Sequence, residues 1–452
     1  MHFYRFLFFI AIFISLVSCD KEEQFTTDPN FRLSFSTDTL DFEALFTGFG
    51  STTKQVKVKN TSSNKVIISH LYLQNSESAY RLNVNGIQSN DLMDITLDAK
   101  DSLFIFVEVD LQAKNEDAPR MMEDHLVFAV NGNLQGVVLK TVAQDVYVID
   151  TDIQENVIWT ANRPYLLTES VWLDKGIDLI VDKGARVYFK KNVALHVKGN
   201  LEVTGSFHQP VYFGSSRLDE SYKNIPGQWN GIYFYDESTT SYLSHFILEN
   251  GISGLNFTKS KLDKNPVRIE YGVIRNFTGN GLQASNSNIT AHDMLITNCG
   301  EECVLLKGEG SYQLVHSTLY NSWFFSARSA PIISYNGNSE DGLIIRNCIV
   351  EGNRLNELDA EQAETVLLQH SLLKLGNSAQ TTFASSLNEC LFNEDPAFIN
   401  VNEFDFNLSE QSPVINKGSA AYIATCIFDL AGNRRDQDVA PDMGCYEFFE
   451  TE

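Results

Sequence analysis

HFILEN (residues 245–250), YGVIRN (271–276), DMLITN (293–298) and HSTLYN (316–321) align on a final Asn, at intervals of 26, 22 and 23 residues. NCIVEG (347–352) and HSLLKL (370–375) continue the series with Gly352 and Leu375 in the Asn place. A short period of this kind, carried by strands that Gly, Asn and Asp punctuate, predicts coils of about three strands each. The predicted fold of this region is a right-handed parallel β-helix. Asn and Gly tolerate the left-handed backbone that a sharp coil corner needs. Stacked Asn side chains can then hydrogen-bond from coil to coil.

The same alignment assigns columns. Two places before the Asn stand Leu248, Ile274, Ile296, Leu319, Val350 and Leu373, and four before it Phe246, Gly272, Met294, Ser317, Cys348 and Ser371. Both columns are apolar or small and are expected to face inward. Five before the Asn the column reads His245, Tyr271, Asp293, His316, Asn347 and His370, which strand alternation points outward. One before it come Glu249, Arg275, Thr297, Tyr320, Glu351 and Lys374. Together these outward columns suggest a polar strip on which a saccharide could lie. His245, Tyr271, Asp293, His316 and His370 are the glycan-binding candidates. His245, Asp293 and His316 are also the candidates for acid or base, with Arg275 to stabilise charge. The intervening column of Ile247, Val273, Leu295, Thr318, Ile349 and Leu372 is apolar for an outward face, so loops or the preceding domain are expected to cover part of it.

Upstream, residues 31–147 follow a different grammar. Stretches such as QVKVKN, KVIISHLYL and LFIFVEVDL alternate apolar and polar residues, with Asn85-Gly86 and Asn131-Gly132 as tight-turn signals. Eight or nine such strands predict an antiparallel β-sandwich of immunoglobulin-like type. The resulting fold class is all-β: sandwich at 31–147, β-helix at 148–400, terminal coil and C-terminal cap at 401–452.

The N-terminus reads as a targeting segment. His2 and Arg5 precede an apolar run from Phe6 to Val17, 12 residues and too short to span a bilayer. Leu16-Val17-Ser18-Cys19 resembles a bacterial lipobox, which implies a signal peptide at 1–18 and lipidation of Cys19. Residues 19–30 are then a polar tether. The acidic Asp20-Lys21-Glu22-Glu23 is similar to the surface-export signal of Bacteroidetes lipoproteins. Outer-membrane attachment, at the cell surface or facing the periplasm, follows from that resemblance. Of the six other cysteines, Cys299 with Cys303 and Cys426 with Cys445 stand close enough in sequence to pair, and buried free thiols are the alternative.

GQWNGIYF (227–234), RLDESYKNIPG before it, SPVINKGS and the tail DLAGNRRD…APDMGCYEF resemble segments of β-helix repeat lipoproteins of Bacteroidetes, which share the architecture of pectate lyases. The sandwich similarly resembles the ASPM-SPD-2-Hydin and major sperm protein group. Neither resemblance gives an activity.

The net charge of −24 excludes a nucleic-acid partner, which would need a basic footprint. The motifs of nucleophilic hydrolases, zinc hydrolases, P-loop enzymes and dinucleotide enzymes are absent. No cofactor is expected. Ca²⁺ is the one alternative, yet no acidic cluster stands at coil spacing, and Asp219 and Glu220 lie in a loop at 215–226. Glu270 and Asp293 could form an inverting pair only with suitable separation. The reading is therefore a lipid-anchored envelope or surface protein with a glycan-binding or adhesion role. The alternatives are a polysaccharide lyase or glycoside hydrolase, and a structural envelope component.

Overall fold

A computed structural model of the chain describes residues 24–337, 342–437 and 439–449. The segment at 1–18 expected to be a signal peptide and the expected lipidation site Cys19 lie outside them. The protein is all-β, with 48% strand and 5% helix, and divides into two compact units at Gln144/Asp145.

The first unit consists of two five-stranded sheets that share one core. Val56, Val58, Ile105 and Val107 of one sheet and Ile68, Leu71, Phe128 and Leu139 of the other are fully buried, as alternation requires. The two hairpin signals form their turns: Asn85 and Gly86, like Asn131 and Gly132, both have positive φ. The unit departs from a purely antiparallel plan at an isolated parallel bridge between Phe25 and Lys65 and, more extensively, at one strand pair. Thr39–Phe46 pairs in parallel with Asn133–Gln144, a contact across about a hundred residues that no local pattern reports.

In the second unit every coil contributes to parallel ladders. The first ladder runs from Val157–Trp159 through Asp178–Asp182 and Asn200–Thr204 to Leu387–Asn388. The second runs from Tyr147–Ile149 through Tyr165–Leu167 and Arg186–Phe189 to Leu391–Phe392. Tyr242–Glu249 and Pro266–Phe277 pass through both, so the two form one bent 19-stranded sheet. A third, eight-stranded ladder extends from Val171–Leu173 to Leu358–Ala360. These large parallel sheets are consistent with a parallel β-helix.

The inward columns lie where the spacing predicts. Leu248, Ile274, Ile296, Leu319 and Leu373 have no exposure and belong to one core that runs the length of the coils. Gly272 is fixed by packing, since a Cβ there would come within 2.6 Å of Phe246 and Met294. Asn250, Asn276 and Asn298 occupy the left-handed region at φ 66°, 62° and 54°. They also form the ladder: Asn276 Nδ2 donates to Asn250 Oδ1 at 3.1 Å and Asn298 Nδ2 to Asn276 Oδ1 at 2.6 Å. None of the six described cysteines is bridged; Cys390 is half-buried and the other five are buried. The suggested Cys299–Cys303 and Cys426–Cys445 disulfides are therefore not formed.

The segment after residue 400 does not close the end of the coils. Phe383 and Ala379, in and beside the short helix Asn377–Thr382, pack against the end of the core with Leu387 and Phe392. The C-terminal segment instead covers a flank. Val414, Met443 and Leu408 pack on Ile349 and Leu372, while Phe404, Phe406, Cys445 and Tyr446 pack with Val273, Leu295 and Tyr320. That cover accounts for the apolar character of the column three places before the Asn.

Candidate functional site

His245, Tyr271, Asp293, His316, Asn347 and His370 are brought into one column, but not into an exposed strip. Each has φ between 43° and 53°. They are the corner between the first and second ladders, where a left-handed residue interrupts strand alternation. Their side chains leave the core and meet the C-terminal segment. Asp293, His316 and Asn347 have no exposure, and His245, Tyr271 and His370 are half-buried.

The contacts are specific. Arg435, itself without exposure, donates from Nη2 to Asp293 Oδ1 and from Nη1 to Glu447 Oε1, both at 2.5 Å. His292 Nδ1 lies 2.8 Å from Asp293 Oδ2, and its Nε2 lies 2.8 Å from Glu270 Oε2. Asn347 Nδ2 bonds His316 Nε2 at 2.8 Å and Ser419 O at 3.0 Å. His245 and Tyr271 stack at 4.5 Å, with the Phe207 ring against both and Phe428 against Phe207. Asp429 and Asp442 accept from the backbone N–H groups of Glu447 and Phe448 and so fold the tail onto itself.

The electrostatics are those of a dry, paired cluster. Burial raises Asp293 against the pull of Arg435, and burial raises Glu447 to about 8. Burial would lower His292, but its two carboxylate partners outweigh it and raise it. His316 falls well below its ordinary value through burial, then through Arg435 and His292. Glu270 drops to about 2, because His292 and Tyr242 overcome its burial. Glu270 and Asp293 thus grip opposite nitrogens of one imidazole and leave no place for a substrate between them.

Arg275 is likewise occupied. It donates to Glu249 at 2.6 Å, and its guanidinium lies 4.9 Å from the Phe404 ring of the tail. In the 215–226 loop, Asp219 accepts from Nε and Nη2 of Arg217, and Glu220 pairs with Lys223. Among the described residues no group of three or more His, Cys, Asp or Glu is placed to hold a metal ion.

A different surface carries unburied aromatic chemistry. On the third ladder, Trp172 pairs in register with His196 and His196 with Tyr233. Their flanking residues Val171, Leu173, Leu195, Val197, Ile232 and Phe234 are core, so these three side chains point outward. Trp172 and His196 stack at 4.4 Å, and His196 and Tyr233 at 5.6 Å. Tyr235 closes the patch, with its ring 5.0 Å from Trp172 and its hydroxyl 2.9 Å from His196 Nδ1. Lys198 holds its ammonium 4.3 Å from the Trp172 ring. Tyr233 donates to Asn230 Oδ1 at 3.0 Å. All four rings are half-buried, anchored by neighbours with one side open to water. Burial lowers His196 and raises Tyr233 and Tyr235, which keeps the patch uncharged except at Lys198.

The Asn alignment misses this ledge. It lies outside the aligned segments, and its register partners stand 24 and 37 residues apart, because loops of unequal length separate the coils. The signal was local: a ring between two apolar residues in VWL, LHV and IYF.

No family model and no curated protein matches the chain. Among solved structures, the ASH/PapD-like domain of human CEP192 aligns at 9% identity and a TM-score of 0.18, over 26% of this chain and 89% of that one. A family 123 glycoside hydrolase from Clostridium perfringens aligns at 5% and 0.20, over 29% of this chain and 30% of that one. The VesB protease of Vibrio cholerae aligns at 16% and 0.17, over 25% and 31%. At these scores the similarities carry no argument about fold or function.

Proposed function

We propose that this chain is a lipid-anchored cell-envelope protein whose β-helix presents a glycan-binding face. The ledge of Trp172, His196, Tyr233 and Tyr235 is the single observation that carries this reading. Large amphipathic rings held rigid by their neighbours, beside hydroxyl and amide groups, are suited to the apolar faces and polar edges of sugar rings. The right hand of the helix rests on the general handedness of parallel crossovers. The first unit, with two sheets around one core, is read as an immunoglobulin-like spacer. The lipid anchor and outer-membrane location rest on Leu16-Val17-Ser18-Cys19.

Of the candidates for the enzymatic alternative, Asp293 and His316 are buried under the C-terminal segment, His245 is half-buried and Arg275 is paired with Glu249, which supports the binding reading over the catalytic one. A glycan array with the full chain tests the proposal, followed by titration of any hit against Trp172→Ala. Binding that drops at least tenfold in a variant with an unaltered melting temperature is expected. A silent array, or a hit indifferent to Trp172→Ala, would remove the ledge as a glycan site.

A further inference from the structure

The first unit carries a cavity of its own, on the outer face of one sheet. The strands Lys54–Lys59, Ser102–Val109 and Tyr80–Val84 and the two-residue edge Ile87–Gln88 pair antiparallel in that order. Val56, Ile105, Val107, Leu82 and Val84 turn into the core. The residues that alternate with them therefore turn outward. Register sets these in rows across the sheet. Gln55, Phe106, Asn83 and Gln88 stand side by side in one row, which spans about 14 Å at about 4.8 Å per strand. Glu108 and Arg81 face one another in the next. Phe106, Asn83, Gln88, Glu108 and Arg81, with Thr53, Ser89 and Asn90 at the rim, line a cavity of about 530 Å³. Small-molecule sites occupy roughly 300–1,000 Å³.

The lining has a definite chemistry. Phe106 lies on the central strand of its five-stranded sheet and is still 41% exposed. Its neighbour Phe104 is as exposed, but there the Lys57 ammonium stands 5.4 Å from the ring, outside the cavity. Among the described residues no ring or cation covers Phe106. Polar groups surround it on both sides. Asn83 Oδ1 accepts from Gly86 N at 2.9 Å, which leaves Nδ2 to donate. The Gln88 amide has no partner among the described residues. Thr53 Oγ1 donates to Glu108 Oε1 at 2.7 Å, and Oε2 remains to accept. Arg81 is paired with Asp110. The uncompensated charge in the cavity is thus the single carboxylate of Glu108.

We infer that this cavity is a second saccharide site, for a neutral sugar of one or two rings, and that the first unit is a binding module as well as a spacer. The apolar face of a pyranose rests on Phe106. Its hydroxyls bond the Asn83 and Gln88 amides and donate to Glu108 Oε2. A ring beside paired donors and acceptors suits a ligand with an apolar face and a polar edge. The Glu108 charge disfavours an acidic sugar. A peptide finds less here, because the sheet edge beside the cavity is two residues long and gives strand addition almost no ladder. The inference does not depend on the ledge of the second unit, and the two sites can be tested apart.

Saturation-transfer NMR on the full chain tests it, with the methyl glycosides of glucose, galactose, mannose and N-acetylglucosamine, and with glucuronate. At least one neutral glycoside is expected to take up saturation, at least fivefold more than glucuronate, and to change little as salt rises. Phe106→Ala should abolish the signal and Asn83→Ala reduce it at least threefold, with an unaltered melting temperature because both side chains face outward. Trp172→Ala should leave it in place. Silence from every glycoside overturns this site, as does a signal that survives Phe106→Ala, and neither outcome touches the ledge. A signal lost in Trp172→Ala and kept in Phe106→Ala places the sugar on the ledge instead. Glucuronate as strong as the neutral glycosides overturns the assignment of a neutral ligand.

Discussion

Arg435 shows how one side chain decides what a column of residues can do. It sits between Asp293 and Glu447 with no exposure, and its partner on the coils is 142 residues away in sequence. A buried ion pair is a modest source of stability when intact, but removing one partner leaves the other charge uncompensated, at a cost of about 3–5 kcal/mol. Arg435→Ala is therefore expected to lower the stability of the second unit by that order, read from chemical denaturation; a change below about 1 kcal/mol would show that the tail docks without this pair. Glu447 adds a pH dependence. Its carboxyl is raised to about 8 in the folded chain, above its ordinary 4.5. A raised group contributes stability that is fully present below its unfolded value and is lost as pH rises through the folded one. His292, raised as well, acts in the same direction from its ordinary 6.5 upward. The melting temperature should thus fall as pH rises from about 4.5 to about 8, with His292 adding to the fall above 6.5, and fall less in Glu447→Gln. An identical pH profile in the variant would assign the loss to other groups.

At the scale of the strand and its corner, the Asn ladder combines two effects that substitution separates. Asn276 occupies φ 62° and bonds its neighbours above and below. Asn276→Ala loses both bonds and strains the backbone, for about 3 kcal/mol. Asn276→Gly loses the bonds but keeps the conformation, and should cost less although it removes more atoms. If the two cost the same, the left-handed corner contributes nothing. This local preference is why the coil period was legible: Asn and Gly adopt the left-handed backbone most readily and stand at the corners Asn250, Asn276 and Asn298, and the inward Leu and Ile columns follow by alternation. The other corner was not legible. Its left-handed positions hold His, Tyr and Asp, which carry no such local signature, and a distant segment decides their exposure. The aromatic ledge stayed hidden for the opposite reason. Its strands are ordinary, but loops of unequal length dissolve the period that would have aligned them.

Over the whole second unit, the coils alone do not make a soluble surface. The second ladder turns Val273, Leu295, Ile349 and Leu372 outward, and the C-terminal segment buries them under Phe406, Leu408, Val414 and Met443. Full burial of such side chains is worth about 1.5–3 kcal/mol each, so the tail and the face it covers stabilise one another. An uncovered apolar stripe of this kind promotes association. A chain ending at Asn400 is therefore expected to bind a hydrophobic dye several-fold more strongly than the full chain, to melt earlier and to self-associate. A peptide of residues 401–449 added in trans should reverse part of the dye signal, and should do so less well when it carries Arg435→Ala. The peptide arm separates a missing cover from a chain that has simply failed to fold, because only a folded flank can take the peptide back. Unchanged dye binding and melting in the shortened chain would mean that the coils bury this face by themselves.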